Sequence, residues 1–517
     1  MDINMNVLPR ELVGEISNAM HVRDAVALGK TNKQFSTNLN KIDFGYKVNQ
    51  PVHLNTICIC DVDPIKDGYT ERRQYVIGNF KHVIVSSLDD IRLLQKKIIL
   101  PTHLTFDRHF NQSIDSLQVP QSLTHITFGY AFNHSIDKLL LPQSLTHLTF
   151  GSAFNQPIDN LNLPQSLTHL TFGNDFDNDS IYKLILPHSL THLTFGSAFN
   201  QPVDNLKLQH LLLLTHITFG SHFYQPIDNL QLPKSLTHLS FGFYFNHSVD
   251  DLKLPSSLTH LTFGSFFNQS VNNLKLPQSL TYLAFGYEFN KPIHNLKLQH
   301  LPSLTHLTFG RGFNQSIDSL SLSQSLTHLI LGSYPKQSID GPKLPQSLTH
   351  LKFAVYFSES VDRLKLQHLL SLTHLTFGTC FNQSVDNLKL PKSLTHLTFG
   401  YNFNQSIDGI ILPKSLTHLS FGAYFDQPID NLKLPTTLTH LTFGSSFNQP
   451  VDNLKLPESL THLVFRSNFN QSVDNLKLPE SLTHLTFGSS FNQSVDNFKL
   501  PESLTHLTLC SRLQYIS

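Results

Sequence analysis

The side chains best placed to do chemistry in this chain are histidines. The dipeptide Thr-His recurs from Thr102-His103 to Thr505-His506, nineteen times if Thr281-Tyr282 is included, and it carries His125, His147, His169, His192, His216, His238, His260 and His306 among others. Neutral imidazole is a good ligand for transition metals. A row of imidazoles one strand spacing apart, about 4.8 Å, nevertheless suits neither a compact tetrahedral centre nor one distinct site among many copies. The expected role is a polar ladder that holds register on a strand face. Adjacent positive charges oppose one another, so the ladder's pKa values are expected below that of free histidine, and mild acid is expected to strain the sheet.

Other reactive residue types repeat without converging. Asp159, Asp204, Asp386, Asp452, Asp474 and Asp496 recur, usually three residues before a lysine such as Lys455 or Lys477. Acid–base catalysis needs two carboxylates in different environments, whereas identical rows provide one environment many times over. They read as a solvated, charge-balanced face. Cys58, Cys60, Cys380 and Cys510 are too few and too scattered for a disulfide framework, and Cys58-x-Cys60 has no second pair to complete a zinc site. With no Gly-rich phosphate loop and no activated Ser or Cys setting, the expectation is a protein that is not an enzyme and uses no cofactor or metal. Lys plus Arg and Asp plus Glu number 37 each, a balance that argues against a nucleic-acid binder. No charged-then-apolar leader opens the sequence and no apolar run approaches about 18 residues, so an intracellular, cytoplasmic protein with no membrane association is expected. The Asn-x-Ser sequons at Asn111, Asn268, Asn382, Asn404, Asn470 and Asn492 read as by-products of a repeated Asn-Gln-Ser.

The element that positions these residues is a phrase with a period of 22 residues, clearest from Leu478 to Asn497 as L-P-E-S-L-T-H-L-T-F-G-S-S-F-N-Q-S-V-D-N. Within it, His484-Leu-Thr-Phe487 alternates polar and apolar as a half-buried strand does, with His484 and Thr486 outward and Leu485 and Phe487 inward. Gly488 ends the strand, Phe491 fills the interior, and Asn492 caps backbone groups at the bend. Val473 to Leu478 repeats the apolar spacing across the coil, and Pro479 turns the chain. Each coil is thus expected to have two extended segments and two corners, with no helix on the second side. One coil cannot bury its own apolar face, but a stack can. The fold class is mainly β, a leucine-rich-repeat-like solenoid of about 19 coils over residues 100–517, with a parallel sheet and a second extended side. At Leu208, Leu298 and Leu366 the period lengthens to 24, which predicts a bulge beside the strand. Ala354 and Arg466 replace the strand-ending Gly, and residues 331–366 are the most individual part of the array.

Residues 46–99 read as a connector and N-terminal cap, with short strands at Tyr46–Val52, Ile57–Val62, Tyr75–Gly78 and His82–Ser86, then one helical turn or a degenerate repeat at Leu88–Leu94. Residues 1–45 read as a small three-helix module. Pro9 suits a first helical position, and Leu8, Leu12, Ile16 and Met20 share one face. Val22, Val26 and Leu28 follow before Gly29, and Phe35 and Leu39 pair on a third segment. So short a module needs a partner surface.

This module resembles an F-box, through Leu8, Pro9, Glu11, Leu12, Ile16, Val22, Asp24, Val26, Leu28, Lys33 and Phe35. Ala25 and Thr31-Asn32 depart from the family's usual residues. The repeats resemble the FNIP repeat, related to leucine-rich repeats, through Phe154-Asn-Gln-Pro-Ile158 and Phe491-Asn-Gln-Ser-Val495. An F-box followed by such repeats is similar to a family known in social amoebae and in giant viruses of amoebae. The resemblance implies a non-catalytic substrate-recognition adaptor of a Skp1-cullin-F-box ubiquitin ligase. Leu8, Pro9, Leu12, Ile16, Val22, Val26 and Phe35 are then expected to dock a Skp1-like adaptor, and through it cullin. The repeats are expected to hold a target protein on the strand face, with His306, His328, His350, His374 and His396 as candidates. The alternative is an interaction scaffold with no ubiquitin-ligase role.

Overall fold

From residue 100 onward every described strand begins at the histidine of Thr-His, or at Tyr282, and nearly all are three residues long. The computed structural model describes residues 56–59, 82–96, 101–115, 117–315, 321–332, 344–358, 360, 365–495 and 498–509. The helical module expected over 1–45 lies outside these residues, as do the strands expected at Tyr46–Val52 and Tyr75–Gly78 and most of the irregular stretch between 333 and 364.

The chain divides into two units, Met1–Phe223 and Tyr224–Ser517. The first contains β1 (Thr56–Ile59), β2 (His82–Val85), a helix α1 (Leu88–Lys96) and β3 (His103–Phe106), then strands of the repeat from β4 (His125–Thr127) to β8 (His216–Thr218). Each strand pairs in parallel with the next in sequence order. The second unit repeats this arrangement from β9 (His238–Ser240) to β21 (His506–Thr508), again parallel and in sequence order. Both units are mainly β, parallel, leucine-rich-repeat-like solenoids, and together they hold about 18 turns.

Alternation along the strand sets the interior. In the coil of β20 (His484–Thr486), Leu485 and Phe487 are buried while His484 and Thr486 are half-buried on the outer face. Phe487 lies 4.2 Å from Phe491, ring centroid to centroid, within the coil. Between coils, rings stack at 5.5 Å for Phe465–Phe487 and 6.0 Å for Phe469–Phe491. Burial of each such ring stabilises by about 1.5–3 kcal/mol, with about 0.5–1.5 kcal/mol more per well-placed aromatic pair.

The second side of the coil differs from the sequence expectation. It carries no described strand; instead, the Leu476 N–H donates to the Val473 carbonyl at 3.0 Å. The Val-Asp-Asn-Leu stretch is therefore a turn closed on itself, and its N–H cannot serve a neighbouring coil. Two further turns of the same kind occur, from Leu482 N–H to the Pro479 carbonyl at 3.1 Å and from Phe491 N–H to the Gly488 carbonyl at 3.2 Å. Each coil has three tight turns rather than two corners. The lengthened corners are not strand bulges either. They form 3₁₀ turns at Leu208–His210, Leu298–His300 and Leu366–His368. At the first two, Lys207 and Lys297 adopt left-handed backbone with φ of 49°, an uncommon conformation for a side chain of this kind. After each strand the backbone passes close to the preceding coil. A Cβ at Gly422 would overlap the Gly400 carbonyl, which is why this place is usually glycine.

Candidate functional site

The strand face is built by three hydrogen-bond columns that run from coil to coil. In the first, the Thr417 hydroxyl donates to the Thr395 carbonyl at 3.1 Å and stands 2.8 Å from Nδ1 of His418. A hydroxyl has one proton to give. For both contacts to be hydrogen bonds, that proton goes to the carbonyl and Nδ1–H of the imidazole donates to the hydroxyl. The same geometry recurs at Thr439-His440 and Thr461-His462. This assigns a proton to Nδ1 of each ring, so that in the neutral imidazole Nε2 is the acceptor.

The second column lies at the Pro-x-Ser turn, where Ser481 Oγ donates to the Leu460 carbonyl at 2.7 Å. The third lies at the Phe-Asn corner. The Asn470 N–H donates to Asn448 Oδ1 at 2.8 Å, and Gln471 Nε2 also reaches that oxygen at 3.2 Å. Asp177 and Asp426 stand in this column with the same pattern of partners. A carboxylate serves because only the acceptor oxygen is used. The capping expected of this Asn is present, and it links one coil to the next.

Held this way, the imidazoles stack. His306, His328, His350, His374 and His396 form one column with centroid separations of 4.2, 4.1, 4.1 and 4.0 Å. The structure brings these five together but does not set them apart, because stacking continues from His396 through His418, His440, His462 and His484 to His506. On the other side Tyr282 interrupts the row of imidazoles, 5.9 Å from His306 and 5.6 Å from His260, which in turn stacks on His238 at 4.1 Å. In the first unit the imidazoles from His103 to His216 stack in the same way at 3.9–4.1 Å. Parallel rings send their Nε2 lone pairs side by side rather than toward one point. Among the described residues, no group of three or more His, Cys, Asp or Glu is placed to hold a metal ion. Two outward positions within the candidate face depart from the Thr row: Ile330 and exposed Lys352, neighbours in register.

Within the ladder, His147, His192, His328, His350, His374 and His440 are among those whose pKa values are lowered, and His125, His169 and His418 are each lowered to about 4. Burial against the strand is the larger cause in the last three, and charge on neighbouring imidazoles adds to it. The expected direction is met, but repulsion, which the sequence put first, ranks second. Among the described residues two aspartates of the repeat pair with a lysine of the following coil, Lys138–Asp115 at 4.0 Å and Lys183–Asp159 at 3.5 Å, the lysines being exposed. Exposed pairs of this kind contribute little stability.

The Skp1-docking candidates Leu8, Pro9, Leu12, Ile16, Val22, Val26 and Phe35 lie outside the described residues, so the structure places none of them. Conversely, it reveals a surface that reading the repeat had passed over. The two residues between the strand-ending Gly and the following Phe vary from copy to copy, and they gather most of the exposed aromatics. Phe243, Tyr244 and Phe266 are 44%, 41% and 42% exposed. Their rings pack on one another at 4.9–5.2 Å. The signal was present in the sequence, as Gly-Phe-Tyr-Phe and Gly-Ser-Phe-Phe where other copies read Gly-Ser-Ser-Phe.

No described helix is long and apolar enough to cross a membrane. No curated protein matches the chain. Among solved structures, CroV588, described as "a novel circular LRR protein structure", is similar at 42% identity and a TM-score of 0.66, covering 83% of this chain and 68% of its own. An internalin (inlF) from Listeria monocytogenes str. 4b F2365 is similar at 17% identity and a TM-score of 0.38, over 59% of this chain and 83% of the other. The TLR13–ssRNA13 complex is similar at 16% identity and a TM-score of 0.47, over 83% and 68%. The profile of the FNIP Repeat matches in twelve stretches, the first at 102–131 and the last at 469–511. With the repeat matched over most of its length and its coil geometry accounted for residue by residue, the chain belongs to the FNIP repeat family.

Proposed function

We propose that the chain is a non-catalytic substrate-recognition adaptor: residues 7–40 dock a Skp1-like protein, and through it cullin, while the solenoid holds a target protein on its strand face. The repeat solenoid itself is an architecture suited to protein interaction. The observation that carries the reading is the column from His306 to His506, where every imidazole is fixed by the Thr before it and stacked on its neighbours. A polar face ordered in advance loses little side-chain entropy on binding, which favours recognition of another folded surface. His306, His328, His350, His374 and His396 are its central candidates, beside the distinctive Ile330 and Lys352. The ligase half of the proposal rests on the F-box resemblance of Leu8, Pro9, Leu12, Ile16, Val22, Val26 and Phe35.

The test is a pull-down of Skp1 by the full chain. Wild type is expected to retain Skp1, and Leu8→Asp/Leu12→Asp to lose it. Retention by neither, or equally by both, retires the adaptor role. Proteins held by the solenoid are expected to survive that double substitution and to be lost in His350→Ala/His374→Ala.

A further inference from the structure

We propose that the ridge formed by Phe243, Tyr244 and Phe266 receives a cationic side chain, arginine above all, from a partner protein. The inference rests on the interaction role proposed for the solenoid and places a specific contact beside the strand face rather than on it.

Three observations carry it. First, the same corner already receives guanidinium groups from this chain. The Arg311 guanidinium carbon lies 3.4 Å from the ring centroid of Tyr356 and 5.2 Å from that of Tyr287. Arg108 lies 5.3 Å from Tyr130 at the equivalent corner in the first unit. An aromatic face attracts a cation through its quadrupole, and arginine uses this contact most often. Second, Phe243 and Phe266 bring two exposed rings, one on each of two successive coils, with the Phe266 N–H bonded to the Phe243 carbonyl at 2.9 Å. The backbone therefore holds them in register. Third, Glu288 follows Tyr244 and Phe266 in the same column, its N–H bonded to the Ser265 carbonyl at 2.7 Å. It is exposed and makes no ion pair among the described residues. Two apolar π faces followed by a carboxylate complement a planar cation on an aliphatic stem. A purely apolar partner gains nothing from the carboxylate.

The test uses the full chain and two fluorescein-labelled peptides of alternating glycine and arginine or glycine and citrulline. Citrulline keeps the planar shape and removes the charge. The arginine peptide is expected to bind more tightly than the citrulline peptide by about fivefold or more. Phe243→Leu/Phe266→Leu, which keeps apolar side chains and removes two of the ridge's three π faces, is expected to cut most of that difference. Glu288→Gln is expected to reduce it, with a weaker dependence on salt. Thermal melting of each variant checks that these exposed positions leave the fold intact. Equal binding of the two peptides, or an unchanged preference in the double leucine variant, overturns the proposal. His350→Ala/His374→Ala is expected to leave peptide binding unchanged, so a failure of the ridge is distinguishable from a failure of the strand face. Loss of the peptide in that variant assigns the contact to the strand face and also overturns the ridge.

Discussion

At the Phe-Asn corner a side-chain oxygen does what a carbonyl does in a sheet: Asn448 Oδ1 accepts the Asn470 N–H, and Asp426 does the same for Asn448. The choice of Asn is thus a choice of one acceptor atom at fixed reach, with Gln471 as second donor. Asn448→Asp is therefore expected to be close to neutral. Asn448→Leu leaves a part-buried N–H without its acceptor and is expected to cost about 1–3 kcal/mol. Hydrogen exchange at the Asn470 amide reads this directly. Exchange should rise in the leucine variant and stay near wild type in the aspartate variant; equal protection in all three would show that the oxygen is not needed.

At the scale of the strand, the imidazole column makes folding sensitive to acid. His125, His169 and His418 have folded pKa values of about 4, below the ordinary 6.5 that holds in the unfolded chain. Between these values the unfolded chain binds more protons, so stability rises with pH across that window. The contribution is fully present above about pH 6.5 and is lost as pH falls toward 4. The charged groups that add to burial in this column are its own neighbouring imidazoles. Melting temperature is expected to fall between pH 6.5 and 4, and His418→Asn to make that fall shallower by one proton's worth. A flat profile in both proteins would refute the account. Much of this element was legible beforehand. Period-two alternation in His484-Leu-Thr-Phe487 gave the strand and its inward face. The Val473 to Leu478 side was less legible, because apolar residues three apart suit both an extended segment and a turn. What decides is where the Leu476 N–H goes, and it goes to its own Val473. The ranking of causes behind the lowered pKa values was hidden for a related reason: neighbour spacing can be read from a period, but the depth of an imidazole against its strand cannot. The ridge of Phe243 and Phe266 was missed because attention to a repeat's agreement obscures the positions where copies differ.

At the scale of the whole molecule, each coil's bonds are made to the coil before and the coil after, so stability is expected to approximate a sum of coil and neighbour terms. This has a strict consequence in the second unit. Removing residues 440–461 joins Thr439 to His462 and preserves the Thr-His phrase. The His462 N–H then meets the Thr417 carbonyl that His440 used, and the Asn470 N–H meets Asp426 Oδ1 in place of Asn448. Ser481 finds the Leu438 carbonyl that served Ser459. Every lost bond has a chemically equivalent replacement, and Phe465 and Phe469 inherit the neighbours of Phe443 and Phe447. The deletion is expected to fold, with strand content reduced only by the missing coil and a melting temperature close to wild type. Removing residues 440–450 deletes half as much chain but brings Val451 after Thr439, where a strand must start. That shorter deletion is expected to be far more damaging, because it misaligns the His, Ser and Asn columns together. Circular dichroism melts of the two proteins decide the matter: if the shorter deletion is the better tolerated, stability does not reside in the coil-to-coil register.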